Sequence, residues 1–148
     1  MVSLLRRSTG DPELDRLTGE IVDAAYVVQK FLGIGLLERT YRIATAIELE
    51  SRGIKCEQEA PVAVRYRGRV IEKAYFIDLL VEDRIAVELK AVEAFHPSHS
   101  AQVLTCMRWA DLRIGFVINF HASPFGAGVR RFVRDLPESS ASSAESSA

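Results

Sequence analysis

The residues of this chain best suited to do chemistry fall in one stretch, Phe76-Ile-Asp-Leu-Leu-Val-Glu-Asp-Arg-Ile-Ala-Val-Glu-Leu-Lys90. Asp78, Glu88 and Lys90 sit inside two otherwise apolar runs joined by a polar turn. Both runs read as buried β-strands, where a charge is costly unless it is paired or holds a metal. Two carboxylates beside an ammonium make a Mg²⁺ site with a water to activate, and Mn²⁺ can substitute. Side chains alternate along a strand, so Glu88 and Lys90 share a face. Asp78 joins them only if the hairpin places it opposite Glu88, which requires an odd-numbered connection or a bulge between Val81 and Ile85. A tight two-residue loop at Glu82-Asp83 puts Asp78 opposite Val87 instead, on the wrong face. With the register met, Asp78 and Glu88 share the cation with the Leu89 carbonyl, and Lys90 orients the water or stabilises the phosphoryl transition state. Spacing alone supports equally a cross-strand salt bridge with no chemistry.

Asp11-Pro12 can open a helical turn, and from Thr18 the apolar residues Ile21, Ala24, Ala25, Val28, Phe31 and Leu32 recur at helical spacing. Gly33-Ile-Gly35 breaks that helix, and a second follows from Leu36 to about Arg52, stopped by Gly53. Beyond it the period changes. Val62 to Arg67 alternates, Gly68-Arg69 turns, and Val70 to Val81 and Arg84 to Val92 continue an antiparallel meander. Ser98, after Pro97, caps a helix to about Asp111, and Ile114 to Phe120 is a further buried strand. Strand, crossover helix and strand over Glu88 to Asn119 imply a parallel pair. Gly126 to Arg134 reads as a last short helix.

The chain has 148 residues, 48% of them hydrophobic, enough for one compact core and too few to expect two. No apolar stretch is long enough to span a bilayer and no secretory leader is apparent, so the expected setting is the cytoplasm. Cys56 and Cys106 lack metal-type spacing and read as free thiols; His96, His99 and His121 complete no zinc pattern. A net charge of −1 gives no global nucleic-acid footprint. Local clusters remain, Arg65, Arg67, Arg69 and Lys73 around one turn and Arg130, Arg131 and Arg134 near the end, each equally a solvated polar face.

Gly35-Leu-Leu-Glu38-Arg-Thr-Tyr41 places Glu38 and Tyr41 three apart on one helix face. Followed by Asp-Leu-Leu-Val-Glu from Asp78, Val87-Glu-Leu-Lys-Ala-Val92, His99-x-x-Gln102 and Ile118-Asn-Phe120, it closely resembles the small prokaryotic family named for its GxxExxY motif. That family is grouped with the PD-(D/E)xK nuclease superfamily, and the resemblance runs from about Thr18 to Val133. It implies an α/β fold with a restriction-endonuclease-like three-layer core: a mixed central sheet, an N-terminal helical pair on one side and the crossover helix on the other.

The resemblance also assigns roles. Asp78 and Glu88 match the metal ligands, Lys90 the catalytic lysine, Glu38 a helix acid that helps set the metal's water shell, and Gln102 a supporting residue on the crossover helix. Tyr41 and His99 are further candidates for substrate contact, Tyr41 reading also as a core residue with a bonded hydroxyl. Four positions depart from the pattern: Ile77 stands for Pro, Gln29 for His, Ile34 for Pro, and Cys106 for a Tyr whose phenol it cannot replace. The expected function is Mg²⁺-dependent hydrolysis of DNA or RNA. A non-catalytic module binding nucleic acid or protein on the same fold is the alternative, and a homodimer or a protein partner is possible in either case. Residues 1–17 read as an N-terminal arm, 18–136 as the PD-(D/E)xK-like domain, and 137–148 as a disordered Ser/Ala-rich tail.

Overall fold

The computed structural model describes residues 8–134; the reading of 137–148 as a disordered tail lies outside them. Helix α1 spans Pro12–Leu32. Asp11 caps it, its carboxylate accepting from the Leu14 N–H at 3.1 Å, and Pro12 takes the first turn, where no N–H is needed. Leu14, Leu17, Ile21, Ala24, Ala25 and Val28 are all buried. Their spacings of three and four residues draw one stripe along the helix. The helix thus begins earlier than Thr18, and Leu14 and Leu17, within the segment read as an arm, are core residues. Gly33 ends it at φ 81°, a left-handed conformation in which a side chain would be strained.

Helix α2, Glu38–Ser51, follows after a short loop, and then come strands β1 (Cys56–Tyr66), β2 (Arg69–Val81) and β3 (Ile85–Lys90). Helix α3 (Pro97–Trp109) crosses over to β4 (Ile114–Asn119), and β5 (Val129–Val133) completes the sheet. The spatial order equals the chain order, with β3 and β4 parallel and every other pair antiparallel. Helices α1 and α2 pack on one face with Leu79, Val81, Ile85, Val87, Leu89, Phe116 and Ile118. The other face, including Ala86 and Val117, packs with Val103, Cys106 and Met107 of α3. β3 and β4 are buried on both sides, which is why, apart from Glu88, Lys90 and Asn119, they read as apolar runs.

This is the expected α/β arrangement, with two corrections. Val129–Val133 is a strand rather than a helix, because its backbone completes the open edge of β4; only Phe125–Gly128 forms a 3₁₀ turn. The cap of α3 is His96 rather than Ser98. The His96 imidazole accepts from the Ser98 N–H at 3.1 Å, and His99 Nδ1 accepts in return from the His96 N–H at 3.3 Å.

Candidate active site

The β2–β3 turn decides whether a site exists. Glu82 and Asp83 both take positive φ, 51° and 56°, and the Arg84 N–H donates to the Val81 carbonyl at 2.9 Å. That is a tight mirror-image hairpin turn, yet the ladder resumes with Val81 opposite Ile85, leaving Arg84 as an extra, bulged residue. Leu80 then faces Ala86 and Leu79 faces Val87. One further step in that register sets Asp78 across from Glu88, the alignment the chemistry requires. Here the backbone ladder gives way to a side chain, for Asp78 Oδ2 accepts the Leu89 N–H at 2.8 Å. The Leu89 carbonyl leaves the same edge of the strand as its N–H, and so faces the same gap.

Glu88 alternates with Val87 and Leu89 and therefore points toward α3. It is 1% exposed, and neither carboxylate oxygen has a hydrogen-bond partner. Burial, reinforced by the Asp78 charge and only partly offset by Lys90, pushes its pKa up from 4.5 to about 8. The Cys106 thiol opposite is pushed up to about 12, first by burial and then by the negative charges of Glu88 and Asp78. Cys106 is fully buried, so the departure from Tyr lies in the packed floor of the site. One turn earlier on α3, Gln102 Oε1 accepts from Lys90 Nζ at 3.5 Å, a long contact.

Glu38, the first residue of α2, approaches from the other helix layer. Burial raises its pKa, the Lys90 charge lowers it and the Asp78 charge raises it, so it lies within electrostatic reach of both. A local ion pair with Arg42 is not formed; Arg42 binds Glu59 at 2.9 Å and donates to Gln58 at 3.2 Å. Among the described residues no three His, Cys, Asp or Glu side chains form a group able to hold a metal. Glu38 therefore neighbours the Asp78–Glu88 pair without joining it as a third side-chain ligand.

Tyr41 is fully buried, its ring stacked on Phe120 with centroids 4.5 Å apart. Its hydroxyl donates to the Gly33 carbonyl at 2.6 Å and accepts from the Leu36 N–H at 3.2 Å. That hydroxyl fastens the α1–α2 loop and is not free for a substrate. His99 has one ring nitrogen in the α3 cap, and burial and the Lys90 charge both lower its pKa, which puts it near the lysine.

The PD-(D/E)XK nuclease superfamily model matches residues 15–132. The chain belongs to that superfamily. A comparison with curated proteins and one with solved structures returned no match. The superfamily's nucleases use divalent metals. The buried, unpartnered Glu88 carboxylate beside Asp78, with the Leu89 carbonyl on the same gap, is a donor set that fits a hard divalent cation. Among the described residues no helix is long and apolar enough to cross a membrane.

Two buried amides behind the site carry structural tasks that sequence reading did not assign. Asn119 Oδ1 accepts from the Val92 N–H at 3.1 Å and its Nδ2 donates to the Val92 carbonyl at 2.8 Å. The chain just past Lys90 is thereby clamped to the end of β4. Gln29 Nε2 donates to the carbonyls of Phe120 and Ala122, both at 2.9 Å, anchoring α1 to the same turn. The signal was present: Asn119 is an amide in an apolar run, and Gln29 falls four residues after Ala25 on the buried stripe of α1, where a polar side chain must find partners.

Proposed function

We propose that this protein is a Mg²⁺-dependent nuclease of the GxxExxY branch of its superfamily, hydrolysing phosphodiester bonds in DNA or RNA. The supporting observation is the buried, unpartnered Glu88 carboxylate held against Asp78 and Lys90. Such a cluster costs several kcal/mol in a metal-free protein, and a purely structural role would pair it. Asp78 and Glu88 are the side chains to hold the ion, with the Leu89 carbonyl beside them. When bound, a divalent cation supplies a Lewis acid that acidifies a water and offsets charge on the phosphate.

The remaining work falls to this chain's own groups. Lys90, steadied by Gln102, donates hydrogen bonds to the attacking water and to the phosphate oxygen that gains charge. Glu38 draws water to the α2 side of the site. The water oxygen bonds to phosphorus as the ester P–O bond breaks; the water's proton leaves to solvent, and the departing ester oxygen takes a proton from solvent to leave as a hydroxyl. The family resemblance and the two free thiols, Cys56 and Cys106, support a prokaryotic cytoplasm as the setting.

The test is a thermal-shift titration with Mg²⁺ and Mn²⁺ on the wild type and on Asp78→Ala, Glu88→Ala and Lys90→Ala, followed by oligonucleotide cleavage. A site filled to a hundred times its Kd stabilises by about 2.7 kcal/mol. The shift should vanish in both carboxylate variants and persist in Lys90→Ala, which should lose cleavage alone. No metal-dependent shift in the wild type, even with oligonucleotide present, overturns the reading and leaves the non-catalytic binding module.

A further inference from the structure

Strand β3 has six residues, β2 thirteen and β1 eleven. β3 pairs with β2 only at its inner end, from Leu79 to Val81. The outer parts of β1 and β2 are therefore a two-stranded ribbon running beyond the sheet. Such a ribbon is at best marginally stable alone. Here it is rooted in the core through Ala60, Val62 and Ile77. Toward the tip nearly everything is exposed, Tyr66 at 65% and Tyr75 at 38%.

The tip is also where positive charge gathers. Arg65, Arg67, Arg69 and Lys73 face a single acidic residue, Glu72, within residues 65–73, in a chain whose net charge is −1. None of the four makes an ion pair or side-chain hydrogen bond among the described residues. Elsewhere Arg42 pairs with Glu59 and Arg52 with Glu20, Asp23 and Glu48, although Arg39 on α2 also makes no such contact among the described residues.

We propose that this ribbon is a nucleic-acid-binding arm that carries a polynucleotide toward the Asp78–Glu88 site. Its purpose rests on the nuclease reading; its test does not. Val62 faces Tyr75, and beyond a bulge in β2, where the register shifts between Val62 and Val64, β1 continues through Val64 to Tyr66. Val62 belongs to the same buried cluster as Ala86 and Cys106, on the face of the sheet that carries Glu88. Tyr75 thus continues the face of the site outward, and Tyr66 lies beyond it toward the tip. Tyr75 lies three residues from Asp78, about 10 Å along the strand, and the tip at Gly68 about 30 Å, the rise of about nine duplex steps. Unpaired guanidinium groups for phosphates and exposed rings for bases are the combination a sequence-tolerant nucleic-acid surface uses. A second copy of this chain adding to the β1 edge fits less well. Pro61, the irregular Glu59 at φ 50° and the basic tip are devices that blunt strand-edge pairing.

The experiment is fluorescence anisotropy of the full chain with labelled single-stranded and duplex oligonucleotides, in chelator, over a salt series. Four phosphate contacts give a log–log salt slope of about −3 for a single strand and about −4 for a duplex. Affinity then falls roughly 50- to 150-fold between about 50 and 200 mM salt. The quadruple variant R65Q/R67Q/R69Q/K73Q should bind weakly with a nearly flat slope, and the charge-preserving R65K/R67K/R69K should keep the slope. Tyr66→Ala with Tyr75→Ala should weaken single-strand binding about thirtyfold or more. Thermal unfolding of each variant confirms that it folds. Wild-type binding and slope in the quadruple variant overturn the proposal, as does a wild type that binds neither oligonucleotide. Arm-dependent self-association in sedimentation without nucleic-acid binding overturns it in favour of a second copy. Arm-dependent binding with no metal stabilisation upholds the arm and removes the catalytic reading.

Discussion

Glu88→Gln should stabilise the metal-free protein in a pH-dependent way that isolates the electrostatic strain of the site. The Glu88 carboxylate is 1% exposed, unpartnered, and raised from 4.5 to about 8 by burial and by Asp78. The groups that bear on it are Asp78 from β2 and Lys90 from its own strand, and its charge in turn bears on Cys106 from α3. A carboxyl whose folded pKa is raised holds its proton more tightly in the folded than in the unfolded chain. Its contribution is therefore fully present below about pH 4.5 and is lost as the pH climbs to about 8. Each unit of that window removes about 1.36 kcal/mol, so the wild type should lose on the order of 4 to 5 kcal/mol across it. Gln cannot ionise and loses nothing. Against a total stability of about 5–15 kcal/mol, the difference is large. The assay is urea unfolding of both proteins in chelator at closely spaced pH values, comparing the variants so that shared titrations cancel. Parallel stability curves from acid to alkaline pH would refute the claim that Glu88 is buried with its charge only partly compensated by Lys90. On the proposed metal reading, saturating Mg²⁺ at alkaline pH narrows the gap by stabilising the wild type alone.

Tyr41→Phe keeps the stack on Phe120 and removes the hydroxyl that joins Gly33 to Leu36, so chemical unfolding should show a loss of about 1–2 kcal/mol, with any metal shift retained. A loss of metal response without loss of stability would instead give the hydroxyl a task in the site. A methyl at Gly128 would sit 2.5 Å from the Asn119 carbonyl oxygen and 2.5 Å from Ala122 Cβ, whereas one at Gly115 would meet mainly the Met107 side chain. Gly128→Ala should therefore cost more than Gly115→Ala, whose penalty of about 1–3 kcal/mol should shrink when Met107 is also trimmed to Ala. Thermal unfolding of Gly128→Ala, Gly115→Ala, Met107→Ala and the Gly115→Ala/Met107→Ala pair decides the order.

Much of the fold was legible because helices α1 and α2 and the buried strands carry their periods within single segments. The misreadings came where the deciding partner is remote. Val129–Val133 is too short for a period to separate strand from helix, and only the open edge of β4 makes it a strand. Ser is the stronger cap by composition, yet α3 begins two residues earlier, so Ser98 lies inside its first turn and His96 takes the cap position. The start of α1 could have been read earlier: Leu14 and Leu17 are in phase with Ile21, but lie among charged residues that resemble an arm. At the site, residue types were legible and tasks less so. Tyr41 and Glu38 share a helix face, but one hydroxyl is consumed by a loop whose path no spacing reveals.

The hairpin register was the one quantity on which the site depended and which sequence left open, and the core is what settles it. A slip of one residue would turn Leu79 and Val81 away from the layer they share with α1 and α2 and expose apolar surface worth roughly 1.5–3 kcal/mol for each side chain. The bulged Arg84 absorbs the extra residue, and its guanidinium is tied to Asp11, the cap of α1. The contacts that assemble the helical layer on the sheet are thus the same ones that drive Asp78 against Glu88. Two carboxylates are held together in spite of their repulsion by apolar burial a few residues away. Local sequence therefore could not show the pairing: its cause is the packing of the opposite face.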